Sequence, residues 1–211
     1  MKNSQNNTGE YHDLHPTLAA ETTRPTPQID YPAVERLARD LLVALGEDPN
    51  REGLLETPRR WASWWKEFIE YEDNRTDTVF ESMTADQMVV VSGMRVYSIC
   101  EHHLLPFWAD ISIGYVARDQ VLGLSKFARI AHKAAHKLQL QERMIHEIAD
   151  EVQEVTGSPD VMVVASGVHM CMVMRGIRTD ATTTSMITRG SFANRSDARA
   201  DFLRLIDHGR R

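Results

Sequence analysis

Cys100, His103 and Cys171 are the side chains whose chemistry stands out first. The run Cys100-Glu101-His102-His103 sets a thiol and an imidazole three positions apart, so one tight turn brings both to a single ion. Thiolate and imidazole are the donors zinc favours. Cys171 lies in strand-like text, and His169 is two residues before it, so both could face one site. The chain has only two cysteines, which excludes a four-Cys or three-Cys structural site within one chain. Two Cys and one His leave a corner for water, the mark of a catalytic ion that lowers the pKa of that water. A fourth ligand, His102 or His169, would instead close the site, and spacing alone leaves both readings open.

These residues need elements to hold them. Residues 1 to about 30 are polar, with Pro16, Pro25 and Pro27, and read as a tail that orders only against partners. Pro32 suits a helix start, Val34, Leu37, Ala38, Leu41, Leu42 and Leu45 follow at three-four spacing, and Gly46 is a stop. Thr57-Pro58 opens a second helix whose stripe of Trp61, Trp64, Trp65 and Phe68 reads as core or subunit packing. MVVVSG, MRVYSI and the alternation from Ala109 to Tyr115 predict strands, with a turn at Arg118-Asp119-Gln120. Helical spacing runs from Leu124 to Leu138 and from Met144 to Val155, closed by Gly157-Ser158-Pro159. Strand text returns over Val161 to Met174 and around Thr182 to Thr188, and a last helix is expected from about Asp197 to Asp207. The order predicts an α+β fold.

The 211 residues suit one domain with a tail, and 42% hydrophobic residues can form a core. The formal net charge of -6 argues against sequence-independent nucleic-acid binding, which needs a basic surface. No apolar run is long enough to span a membrane and the N-terminus lacks a signal-peptide core, so a cytoplasmic protein with reduced thiols is expected.

Four stretches carry a resemblance. CEHHLLPF (Cys100 to Phe107), GLSKFAR (Gly123 to Arg129), LQLQER (Leu138 to Arg143) and HMCMVMRGIR (His169 to Arg178), in this order, closely resemble GTP cyclohydrolase I. REGLLETPRR (Arg51 to Arg60) also looks like that family, and the likeness runs from about residue 31 to 208. The resemblance implies the tunnelling fold (T-fold), in which strands of several subunits close an oligomeric barrel with helices outside. It implies a homodecamer of two pentamers with active sites between subunits. The expected layout is a tail over 1–30 and a catalytic domain over 31–211, with N-terminal helices to about 80 and the T-fold core over about 86–208.

The implied reaction converts GTP and water to 7,8-dihydroneopterin triphosphate and formate, the entry to tetrahydrofolate and pterin synthesis. Zinc would sit on Cys100, His103 and Cys171. His169 is the expected acid, because an imidazole can give and retake a proton near neutral pH. His102 is expected to shuttle protons, or else to orient His103 as Glu101 could. Gln141 and Glu142 would read the guanine, although without the family they would pass for ordinary polar residues at a helix start. Ser125, Lys126, Arg129, Arg175 and Arg60 would take the triphosphate, with Arg178 as a further candidate, since no P-loop pattern is present. Ala109 and Trp108 depart from the family's usual text, where a glycine commonly follows the aromatic and the aromatic is smaller. Other readings are the same reaction feeding a deazapurine pathway, or a non-catalytic binding protein on the same fold. The latter should have lost a zinc ligand or His169, and none is lost. A zinc deaminase is excluded by the missing H-x-E and P-C-x-x-C pair.

Overall fold

The computed structural model describes residues 29–71, 77–81 and 86–209. The chain divides into two compact units at Ala62/Ser63. The expected tail over 1–30 lies almost wholly outside the described residues.

The first unit is helical. Helix α1 (Tyr31–Ala44) starts where Asp30 accepts the Ala33 amide at 3.0 Å and Pro32 occupies the first turn. It stops at Gly46, whose φ of +83° suits a residue without Cβ. Its Ala38 is buried, but Leu37, Leu41 and Leu45 of the apolar stripe read from sequence are exposed among the described residues. Helix α2 (Thr57–Ile69) follows and runs across the boundary into the second unit.

The second unit is built on a sheet. After β1 (Val79–Glu81) come two long strands, β2 (Gln87–Cys100) and β3 (Leu105–Ala117), paired antiparallel with a bulge between Val91 and Met94. Strand β4 (Gln120–Leu122) pairs with β1 in a small separate ladder. Helix α3 (Leu124–Ala135), the two-residue strand β5 (Leu138–Gln139) and helix α4 (Gln141–Thr156) come next. Strand β6 (Val161–His169) leads into the single-turn helix α5 (Met170–Val173), strand β7 (Thr183–Thr188) and helices α6 (Ser191–Asn194) and α7 (Ser196–His208). The main sheet runs β5-β2-β3-β6-β7, antiparallel except for β5 against β2.

Alternation along the strands gives the sheet two apolar faces. One face sends Val96, Ile111, Ile113 and Ala165 against Phe127 and Ile130 of α3 and Met144 and Ile148 of α4. Part of the other face is covered by Phe192, Phe202 and Ile206 of α6 and α7, packed with Met162. Gly114 is required there, since a Cβ would lie 2.4 Å from the Phe202 ring. The Tyr115 hydroxyl is buried and accepts the Leu122 amide at 2.7 Å, and burial pushes its pKa up.

Three expectations need correction. The strand expected over Val161 to Met174 ends at His169, and Met170–Val173 turn into a helix. The helix expected to reach Leu138 ends at Ala135, and Leu138–Gln139 pair with Ile99–Cys100 instead. Gln120, expected in a turn, begins a strand. Among the described residues no helix is long and apolar enough to cross a membrane.

Candidate metal centre

Cys100 ends β2 and is buried. The chain then reverses through residues 101–104, closed by the Leu104 amide on the Cys100 carbonyl at 2.9 Å, with Leu104 at φ +52°. This turn brings His103 Nδ1 to 4.0 Å from Cys100 Sγ. Cys171 joins them from α5. Its position follows from the β3–β6 ladder, in which Phe107 pairs with His169, and from the helical turn that begins immediately after. One donor atom from each of Cys100, His103 and Cys171 lies within 4.8 Å of the others. Neither cysteine is in a disulfide.

This donor set fits zinc, and the electrostatics agree. Burial pushes the Cys171 thiol up, and the neighbouring Cys100 adds to the rise, while Arg175 opposes it. The Cys171 thiol so placed resists ionising, and a bound dication would offset that by taking it as a thiolate.

His169 stands beside the set. Its ring stacks on Phe107 with centroids 4.6 Å apart and planes 10° from parallel. Its Nε2 lies 3.0 Å from Gln141 Oε1. Gln141 is buried, and its nitrogen donates to the Ala165 carbonyl, the Thr183 carbonyl and Ser185 Oγ at 3.2, 3.1 and 2.9 Å. Burial lowers the His169 pKa, and the carboxylate of exposed Glu142 opposes the shift. Gly167 makes room for this arrangement, because a Cβ there would meet the Trp108 carbonyl at 2.3 Å and Gln141 Oε1 at 3.0 Å. Ala109 packs with no exposure against the same glycine, and Trp108 lies under the Arg95 guanidinium at 4.0 Å, so both departures are absorbed by packing.

The other candidates lie as follows. Arg175 Nη1 is 2.6 Å from His103 Nε2. His102 is exposed, its ring nearly perpendicular to that of His103 at 6.1 Å, and it is not one of the three clustered donors. Ser125, Lys126 and Arg129 share the first turns of α3, with Lys126 buried and Ser125 exposed. Arg60 is exposed on α2 within the first unit, and Arg178 has a φ of +50° in the segment after α5. Sequence reasoning gave no role to Arg143, which binds Glu101, or to the bond between Gln141 and His169. The signal for Arg143 was its spacing four residues after Gln139, one helical turn.

Comparison with known proteins agrees with this geometry. The profile of the GTP cyclohydrolase I family matches residues 34–207. A protein named GTP cyclohydrolase 1 from Hyperthermus butylicus is 47% identical over 180 residues, covering 85% of this chain and 92% of that protein. One of the same name from Sulfurihydrogenibium sp. is 42% identical, covering 85% of this chain and 96% of that protein. The apo archaeosine synthase QueF-Like structure matches at 17% identity with a TM-score of 0.40, over 51% of this chain and 97% of that one, too slight a likeness to build on. Matched along most of its length and carrying a Cys-His-Cys donor set in a curled α+β sheet, this chain belongs to the GTP cyclohydrolase I family and has its T-fold.

Proposed function

We propose that this protein is a GTP cyclohydrolase I that takes GTP and water to 7,8-dihydroneopterin triphosphate and formate. The observation that carries the reading is the convergence of Cys100, His103 and Cys171 within 4.8 Å, in a chain 47% identical to a named GTP cyclohydrolase 1. Zinc is the ion that two thiols and an imidazole select. When bound, it supplies Lewis acidity and acidifies water toward neutral pH.

The side chains then divide the work. His169, in its imidazolium form, gives the Nδ1 proton to the imidazole nitrogen next to the carbon under attack and takes a proton back as the ring opens. Its Nε2 donates to Gln141, so Nδ1 is the atom that exchanges the proton. The exposed carboxylate of Glu142 accepts from the guanine amino group and ring N–H, a match that an unsatisfied competitor base would lose. Gln141 is the second guanine-side residue by its place next to Glu142, its own side-chain amide being held by His169, Ala165, Thr183 and Ser185. Lys126, Arg129, Arg175 and Arg60 neutralise the triphosphate, with Ser125 at the start of α3 adding its hydroxyl. His102, exposed beside the ligand His103, moves protons in the later ribose steps.

The catalytic domain spans 31–211 and works as a homodecamer of two pentamers in the cytoplasm, with active sites between subunits. The exposed leucines of α1 and the edge position of β7 support assembly, since both present surface that a second copy can cover.

Incubation of the purified protein with GTP tests this. Formate and, after oxidation, a fluorescent pterin should appear, and both should vanish on chelation or in Cys171→Ala. Persistence of both products in Cys171→Ala would remove the proposed centre.

A further inference from the structure

Arg143 has no part in the chemistry above, yet it is bonded on three sides. It follows Glu142 in the first turn of α4, with its side chain 28% exposed. Its Nε donates to Gln139 Oε1 at 2.7 Å, and its Nη2 donates to the Leu138 carbonyl at 2.9 Å and to Glu101 Oε2 at 2.5 Å. Gln139 is itself immobilised. It has no exposure, and its nitrogen donates to the Ala134 carbonyl and Glu147 Oε2, both at 2.9 Å. The Gln139 carbonyl also accepts the Glu101 amide at 3.2 Å.

Glu101 is therefore tied to the α3–α4 connection through both its backbone and its side chain. It sits between Cys100 and the two histidines. Apart from the Arg175 contact to His103, the rest of that turn has little to hold it, for His102, His103 and Leu104 are exposed and its other backbone bonds run back to Cys100. An exposed turn with few buried contacts opens easily. Metal donors, by contrast, must be held to within about 0.5 Å of their working positions.

We propose that the Arg143–Glu101 ion pair is a positioning clamp that locks the Cys100–His103 turn to the start of α4, so that the metal donors and the Gln141–Glu142 pair move as one body. The clamp rests on the proposed GTP cyclohydrolase reading for its catalytic consequence but not for its effect on metal retention. A guanidinium is required because one planar fork addresses Gln139, Leu138 and Glu101 together, which an ammonium on a flexible stem does not reproduce.

The test uses the full chain loaded with zinc and the variants Arg143→Gln, Glu101→Gln, Arg143→Lys and the double glutamine variant. Two quantities are read: the rate at which zinc passes to a chromophoric chelator, and kcat and KM for GTP. Each single glutamine change should speed zinc release and lower kcat by about tenfold, the range seen when partners of metal ligands are lost. KM should stay within about twofold, since no GTP contact is removed. The double variant should match the singles, because the partners act on each other. Arg143→Lys should recover only part of the loss. Wild-type zinc release in both singles, or effects that multiply in the double variant, would overturn the clamp. If Arg143→Gln fails to fold, Glu101→Gln decides alone. Wild-type protein that makes no formate would sink the functional reading instead, leaving the zinc-release result to judge the clamp.

Discussion

Gln141 presents its amide oxygen, not its nitrogen, to His169 at 3.0 Å. The choice is forced: the nitrogen is engaged by two carbonyls and a hydroxyl, so the oxygen alone remains for the imidazole. His169 must therefore donate from Nε2, which fixes its neutral tautomer and leaves Nδ1 as the basic atom. His169→Ala should lower kcat by about 10²- to 10⁴-fold with little change in KM, as expected for a lost acid–base group. Gln141→Met should cost a smaller factor, about tenfold, by freeing the ring to adopt either tautomer. Formate release measures both, and wild-type turnover in His169→Ala would remove the assignment.

The cationic residues should separate in their kinetics. Lys126→Gln should raise KM for GTP by about tenfold or more and leave kcat nearly intact, because it removes binding common to ground and transition states. Arg175→Gln should raise KM and also lower kcat, since Arg175 lies 2.6 Å from the metal donor His103 as well. Identical KM and kcat profiles for the two variants would count against different roles.

Acid should weaken the fold through His136. Burial and the neighbouring His132 hold its pKa at about 4, against an ordinary 6.5. Phe68 and Tyr71 pack on its ring, with centroids 5.4 and 3.9 Å away, and its buried Nδ1 has no hydrogen-bond partner among the described residues. The folded state thus binds fewer protons than the unfolded state between about pH 4 and 6.5. Stability is full above that window and falls as pH drops through it, by up to about 3 kcal/mol. His136→Phe keeps a ring against Phe68 and Tyr71, so its urea midpoint should vary less over the same range. An unchanged pH slope in that variant would show that other groups set it.

Gly190 is expected to tolerate no side chain. Its φ is +57°, and a Cβ would lie 2.3 Å from Asp160 Oδ1 and 2.6 Å from the Pro159 carbonyl. Asp160 cannot give way, because it accepts the Ser191 amide at 2.6 Å and Arg118 at 2.8 Å. Burial alone would raise the Asp160 pKa, yet these donors hold it below the usual carboxylate range. Gly190→Ala should lose about 2 kcal/mol or more of stability in urea unfolding. A loss within about 0.5 kcal/mol, ordinary for a surface change, would mean the joint yields easily.

Cys100, His103 and Cys171, which the structure clusters, stood out as candidates in sequence because metal chemistry restricts residue type, while the family resemblance was needed to choose among the readings that spacing left open. The longer strands β2, β3, β6 and β7 and helices α3, α4 and α7 of the second unit were legible from their patterns, while the short β1 and β4 were not. Cys171 was misplaced on a strand because the apolar run Met170 to Met174 is too short for strand and helix to differ in pattern. Strand β5 escaped notice for a similar reason, since two residues carry no period. The bond from Gln141 to Ser185 and that from Arg143 to Glu101 span more than forty positions and exist only once the sheet is assembled. The apolar face of α1 was legible from its period, but periodicity reports that a face is apolar, not what will cover it.

Strand β5 also makes the chain length here a mechanical quantity. Gln139 is held by Cys100, Gln141 already begins α4, and only Leu140 lies between them. A residue inserted at this joint has no slack to take it up. Passed on to α4, it would turn the helix by about 100° and carry Glu142 away from the position in which we propose it reads guanine. Loop grafts, affinity tags or homologous insertions that the chain accepts elsewhere should therefore be lethal to activity at this one hinge-less seam.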